Sequence, residues 1–136
     1  MSARGKARKR ALDILFEAEI RGEPVLELLG ERSATASPPV PEYAAGLVRG
    51  VQEHRAQIDE MLAEHSRGWT LARMPAVDRN ILRIGAYELF WAAGVPDGVA
   101  ISEAVTLARE LSTDASPAFV NGLLARLLEL RLAADG

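Results

Sequence analysis

Five cations stand within seven positions near the N-terminus: Arg4, Lys6, Arg8, Lys9 and Arg10, with no acid among the first ten residues. On a helix these side chains point around the whole circumference, so they cannot all lie against a core. They also crowd the positive end of the helix dipole, where each cation is disfavoured by about a few tenths of a kcal/mol. A sequence that carries this cost suits an anionic polymer as partner. Arg outnumbers Lys 14 to 2 along the chain, which favours planar, bidentate contact with phosphates and bases. The bland alternative is a solubilising segment in which Arg10 merely pairs with Asp13 or Glu17. Bases are too sparse elsewhere to wrap a duplex, so the pattern points to single-stranded RNA.

Other groupings of reactive side chains carry less. His54 and His65 share one side of a helix but lie about 16 Å apart at the helical rise, too far to hold one ion. Glu23, Glu27 and Glu31 follow one another at four-residue steps, and Asp59, Glu60 and Glu64 cluster further on. Acid–base work needs two carboxyls of unequal pKa in a shaped, partly dry pocket, whereas these fall at solvated helical positions. The sequence contains no Cys, and no Gly-rich phosphate loop or nucleophile elbow appears. These residues describe a binder without metal or cofactor.

The elements that must present them are helical. The chain has 136 residues, 49% hydrophobic and 26% charged, enough for one folded domain and inconsistent with wholesale disorder. No apolar run approaches the roughly 20 residues of a membrane span, and no secretory-type stretch opens the sequence. Without Cys the chain fits a reducing compartment, and a cytoplasmic location is expected. The net charge of −3 hides an asymmetry: the first ten residues carry +5 and the remainder −8.

Apolar positions recur every three or four residues, which predicts an all-α fold. The first helix should run from the basic segment to about Ile20 and stop at Gly22. Its two apolar stripes, Ala7, Ala11, Ile14, Leu15 and Ala18, then Leu12, Phe16 and Ile20, predict packing on two sides. A helical turn from Pro24 to Leu29 should end at Gly30, leaving residues 31–41 as a Pro-rich exposed loop. One long helix is expected from Pro41 to about His65, broken by Arg67-Gly68-Trp69. A nearly all-round apolar helix should follow Pro75 until Gly94, and another should span Val99 to Leu111. Ser116 and Pro117 read as the N-cap and first-turn Pro of a last helix.

Three stretches resemble the NusB family of bacterial antitermination factors. They are Ala7-Arg8-Lys9-Arg10-Ala11-Leu12-Asp13-Ile14-Leu15-Phe16, the run from Met74 to Leu89, and Pro96 with Val99 to Ala108 followed by Phe119-Val120-Asn121-Gly122-Leu123-Leu124. The resemblance covers nearly the whole chain, and its specificity lies in the order and spacing of the pieces. It implies six or seven helices in two small bundles packed across each other, about residues 1–70 and 71–136. It also implies a non-enzymatic function: binding of the boxA RNA element of ribosomal RNA leader transcripts together with the small-subunit ribosomal protein NusE, and entry into the elongating RNA polymerase complex. In these terms Arg4, Lys6, Arg8, Lys9 and Arg10 touch RNA, and Phe119 offers a stacking ring unless it anchors the last helix in the core. Asp78, with Arg79 beside it, matches a position used toward the basic ribosomal partner; the alternative is a first-turn acid favoured by the helix dipole. Ser102 stands where the family usually has Asn, which puts a polar role there in doubt. Asn121 is expected to bond locally, and Gly122 to permit close helix packing.

Two competing readings remain. A NusB-like domain also serves RNA cytosine methyltransferases, but such an enzyme needs a following cofactor-binding domain with a catalytic Cys, and this sequence ends at Gly136 without one. A purely structural helical module would leave the cationic N-terminus unexplained. The two apolar stripes of the first helix would allow a homodimer through it, a point that sequence leaves open.

Overall fold

The computed structural model describes residues 2–136, which form seven α-helices, one short 3-10 turn and no strand among those residues. The helices are α1 (Ala3–Arg21), α2 (Val25–Thr35), α3 (Glu42–Glu53), α4 (Arg55–His65), α5 (Ala76–Trp91), α6 (Asp97–Leu111) and α7 (Ser116–Asp135), with the 3-10 turn at Leu71–Arg73. The all-α expectation holds. The chain divides into two compact units, Met1–His54 and Arg55–Gly136.

In the first unit α1, α2 and α3 pack pairwise on one another. Ser2 starts α1 by accepting the Gly5 N–H on its side chain at 3.0 Å, satisfying one of the donors that a helix start leaves open. Gly22 ends it in the left-handed region, φ 67°, with its N–H turned back to the carbonyls of Ala18 and Glu19. That conformation costs glycine little and other residues more. Ala7, Ala11, Leu12, Ile14, Leu15 and Ala18 are buried with Leu28 and Leu29 of α2 and Leu47, Val48 and Val51 of α3.

Two expectations for this part of the chain fail. Helix α2 does not stop at Gly30 but continues to Thr35, because Gly30 lies on its exposed side and Arg32 reaches across to Glu17 of α1. Hydrogen bonds from Arg21 and from Arg32 hold the Glu17 carboxyl below its ordinary value. The Pro-rich loop is therefore confined to residues 36–41, with Ser37–Pro38 in the cis form. The helix expected from Pro41 to His65 is also two helices, interrupted at His54, where φ is −104° and ψ 14°. The reason lies in the cores: Ala44, Leu47, Val48 and Val51 of α3 are buried with the first unit, whereas Ile58 and Leu62 serve α4, which packs on α5 and α7. The division thus falls at His54 and not near residue 70, and α4 belongs to the second unit.

Helix α5 is the axis of the second unit, in contact with α4, α6 and α7. Ile81, Leu82, Ile84, Ala86 and Leu89 are buried along it, as its nearly all-round apolar pattern predicts. Gly85 leaves no room for a side chain: a Cβ there would stand 2.7 Å from Leu124 Cδ1 of α7 and 3.5 Å from Ala104 Cβ of α6. Gly122, expected to serve this purpose, meets only the Arg126 side chain at 3.5 Å. Arg83 and Arg131 are each matched by a carboxylate. Arg83 donates to Asp59 through Nε at 2.8 Å and Nη2 at 3.0 Å, and through Nη1 to Asn80 Oδ1 at 3.0 Å. Arg131 clamps Asp97 at 2.8 and 2.7 Å and reaches the Leu89 carbonyl at 2.6 Å, fastening α7 to the connection between α5 and α6. Its hydrogen bond draws the Asp97 carboxyl below its ordinary value.

Candidate nucleic-acid interface

The basic cluster on α1 separates into two groups once its side chains are placed. Arg4 and Arg8, one turn apart, both turn toward Tyr43 at the start of α3, with guanidinium carbons 4.7 and 5.6 Å from the ring centroid. A guanidinium over an aromatic face gains from the ring's negative quadrupole. Arg8 is only 2% exposed. It is therefore part of the packing of the first unit and offers no surface to a phosphate, contrary to its expected place in the RNA-facing set. Arg4 keeps one side to solvent.

Lys6, Lys9 and Arg10 form the second group. Lys6 and Lys9 are exposed and Arg10 is half-buried. None of the three makes an ion pair among the described residues. Their field is felt locally. Burial raises the Asp13 carboxyl above its ordinary value, and Lys9 and Arg10 oppose that rise. The first turn of α1 holds no acidic side chain, so Asp13 is the carboxylate that offsets this charge.

In the second unit the expected stacking residue, Phe119, is half-buried in the second turn of α7. It meets Trp69 edge-to-face, with ring centroids 4.9 Å apart and an interplanar angle of 68°. In the sequence Trp69 reads only as part of the helix break Arg67-Gly68-Trp69. The signal was there: Gly68 takes φ 102°, a conformation suited to glycine that reverses the chain and delivers the next side chain to α7. Arg126 of α7 donates to the His65 carbonyl at 3.1 Å and holds the end of α4 beside this turn. Both rings are half-buried, so Phe119 anchors the start of α7 without being sealed inside a core.

Asp78 and Arg79 are placed differently from expectation. Asp78 is fully buried, accepting a hydrogen bond from the Ser112 hydroxyl, while its Oδ2 has no partner. A carboxylate with no exposed surface is not a rim contact for a docking protein. Its other reading stands: it is the acidic residue of the first turn of α5. Arg79 turns back, its Nη1 donating to the carbonyls of Leu71 at 2.8 Å and Met74 at 3.0 Å. It pins the 3-10 turn that follows Trp69. Ser116, expected to cap α7, instead accepts the Thr113 N–H at 3.3 Å and donates to Ser112 Oγ at 3.1 Å.

An all-α module is thus defined, with cations on one helix that make no ion pair among the described residues and a half-buried aromatic pair in the other unit. The NusB family pattern matches residues 5–129, and the chain belongs to the NusB family, whose members act in transcription antitermination. It is 61% identical to the transcription antitermination protein NusB of Thermobifida fusca over 127 residues, covering 93% of this chain and 89% of that protein. It is 60% identical to the corresponding protein of Kineococcus radiotolerans, covering 96% of each. Among solved structures, NusB of T. maritima superimposes with a TM-score of 0.83 at 31% identity, covering 94% of this chain and 92% of that one. A crystal structure of antitermination factors NusB and NusE in complex with dsRNA gives a TM-score of 0.76 at 27% identity, covering 93% and 96%. No helix among the described residues is long and apolar enough to cross a membrane.

Proposed function

We propose that this chain binds a single-stranded boxA element of ribosomal RNA leader transcripts together with NusE, and carries that assembly into the elongating RNA polymerase complex in the cytoplasm, where termination is suppressed. The observation that carries this reading is the solvent-facing set Lys6, Lys9 and Arg10, cations with no ion pair among the described residues, in a NusB-family chain. The relative crystallised with NusE and dsRNA supports RNA and NusE as partners. A single strand suits this chain better than a long duplex, because three free cations neutralise only a few phosphates. The Phe119–Trp69 pair supplies an aromatic surface on which an unpaired base can stack.

The test is RNA affinity as a function of salt. Changing Lys6, Lys9 and Arg10 together to Ala should weaken binding to a boxA strand and flatten the slope of log affinity against log salt by about 2, at about 0.7 per lost phosphate contact. Phe119→Ala should lower affinity with the slope unchanged, since stacking releases no counterions. A wild-type slope in the triple variant would remove the basic helix from the interface and the reading with it.

A further inference from the structure

The loop between α2 and α3 and one side of α1 enclose a recess of about 330 Å³, lined by Lys6 and Arg10 from the helix and by Ser37, Pro38, Pro39 and Pro41 from the loop. We propose that this recess is a subsite for one nucleotide of the bound RNA, with the base against the proline rings and the flanking phosphate on Lys6 and Arg10. The inference rests on the RNA-binding reading above and extends it to a loop that the reading does not use.

Lys6 and Arg10 are four residues apart and so lie on the same side of α1, about 6 Å apart along its axis. Neither has an ion-pair partner among the described residues. Arg10 can meet two phosphate oxygens through its planar fork, and Lys6 adds a point charge. The opposite wall is of another kind. Pro38, Pro39 and Pro41 are exposed, and their rings present apolar faces that carry no N–H. A flat base gains dispersion contacts on such a wall and removes it from water.

Size and pairing of surfaces decide between occupants. The volume is at the low end of ligand sites, which suits one nucleotide rather than a folded segment. An acidic side chain would satisfy the cations and leave the proline rings uncovered, whereas a nucleotide uses both walls. The base must be unpaired to reach the rings, so the occupant belongs to a single strand. Prolines also restrict the loop before binding, which lowers the ordering cost on association.

The test uses the full chain and a boxA strand in which each base is removed in turn to leave an abasic sugar. One position should lose about fivefold in affinity, the low end of what stacking one base contributes. The same abasic change should cost nothing further in the variant carrying Pro38→Ser and Pro39→Ser, whose own salt slope stays at the wild-type value. Ser37→Glu, which places a carboxylate in the recess without removing a proline, should weaken binding of the intact strand and reads the site independently of the proline changes. Abasic losses that are the same in the loop variant and the wild type would overturn the subsite, as would wild-type affinity in the Ser37→Glu chain. The triple variant at Lys6, Lys9 and Arg10 separates the two levels. If its slope still falls, the general RNA reading survives the loss of the subsite; if it does not, both fail.

Discussion

Asp78 is shut off from solvent and among the described residues has one donor, the Ser112 hydroxyl, which is itself the end of a relay. Ser116 donates to Ser112 Oγ at 3.1 Å, and Thr113 Oγ1 lies 2.7 Å from Ser116 Oγ. With Thr113 donating to Ser116, each hydroxyl in the chain polarises the next toward the carboxylate. The relay joins the start of α5 to the corner between α6 and α7, one turn before Phe119. Ser112→Ala should therefore cost about 1–3 kcal/mol in urea unfolding, because it strips the donor from a buried group. Asp78→Asn should cost less, since its amide oxygen can still accept from Ser112 and the buried charge is gone. The opposite ranking would show that the carboxylate is held by something other than this relay. The same logic of context governs the arginines. Arg8 and Arg10 are indistinguishable as letters in a basic run, yet one packs under Tyr43 and the other lines a recess.

Between helices, the decisive contact is at Gly85, whose missing side chain lets α5 lie close to α7 and α6. Leu124, which a Cβ would strike, is itself fully buried, so it has little room to turn away. Gly85→Ala should destabilise the protein by about 1–3 kcal/mol, the usual cost of overfilling a packed core. Gly122→Ala should be neutral or stabilise by up to about 1 kcal/mol, because nothing but the Arg126 side chain is near and alanine is the better helix former. Thermal unfolding of the two variants checks both signs. Which glycine does this work was not legible in the sequence, since both sit inside apolar helical patterns. What periodicity does reveal is existence: α1, α5, α6 and α7 lie where their repeats place them, and Gly22 ends α1 as its residue type suggests. It fails where tertiary contacts outweigh local signals. Gly30 is passed over because α2 is held by Arg32 on Glu17, and the helix expected through His54 breaks because its two halves serve different cores. The candidate interface was half visible for the same reason. The cations of α1 announce themselves by number, but the partner that Phe119 meets, Trp69, is about fifty residues distant along the chain and is brought there only by the fold.

Charge is divided unevenly along this chain, +5 in the first ten residues and −8 in the rest, and that division bears on how two partners of opposite charge use it. Few of the basic side chains are free to meet phosphates, so affinity for RNA alone should be modest. A basic ribosomal protein attracted to the acidic remainder would bring further cations to the same strand. Two weak contacts joined on one scaffold raise each other's effective concentration, so RNA should bind the pair of proteins far more tightly than either alone. Linkage then requires RNA to strengthen the contact with NusE by the same factor, whichever partner arrives first. The coupling should fall near 1–3 kcal/mol, or roughly 5–150-fold, the usual range for communicating sites. A closed thermodynamic cycle with this protein, NusE, a boxA strand and a scrambled strand measures it by titration calorimetry. Coupling with boxA and none with the scrambled strand would mean that sequence is read by the assembled pair. Coupling of equal size with both strands would reduce the effect to shared charge, and its absence with both would leave this chain as two independent binding surfaces and not an assembly platform.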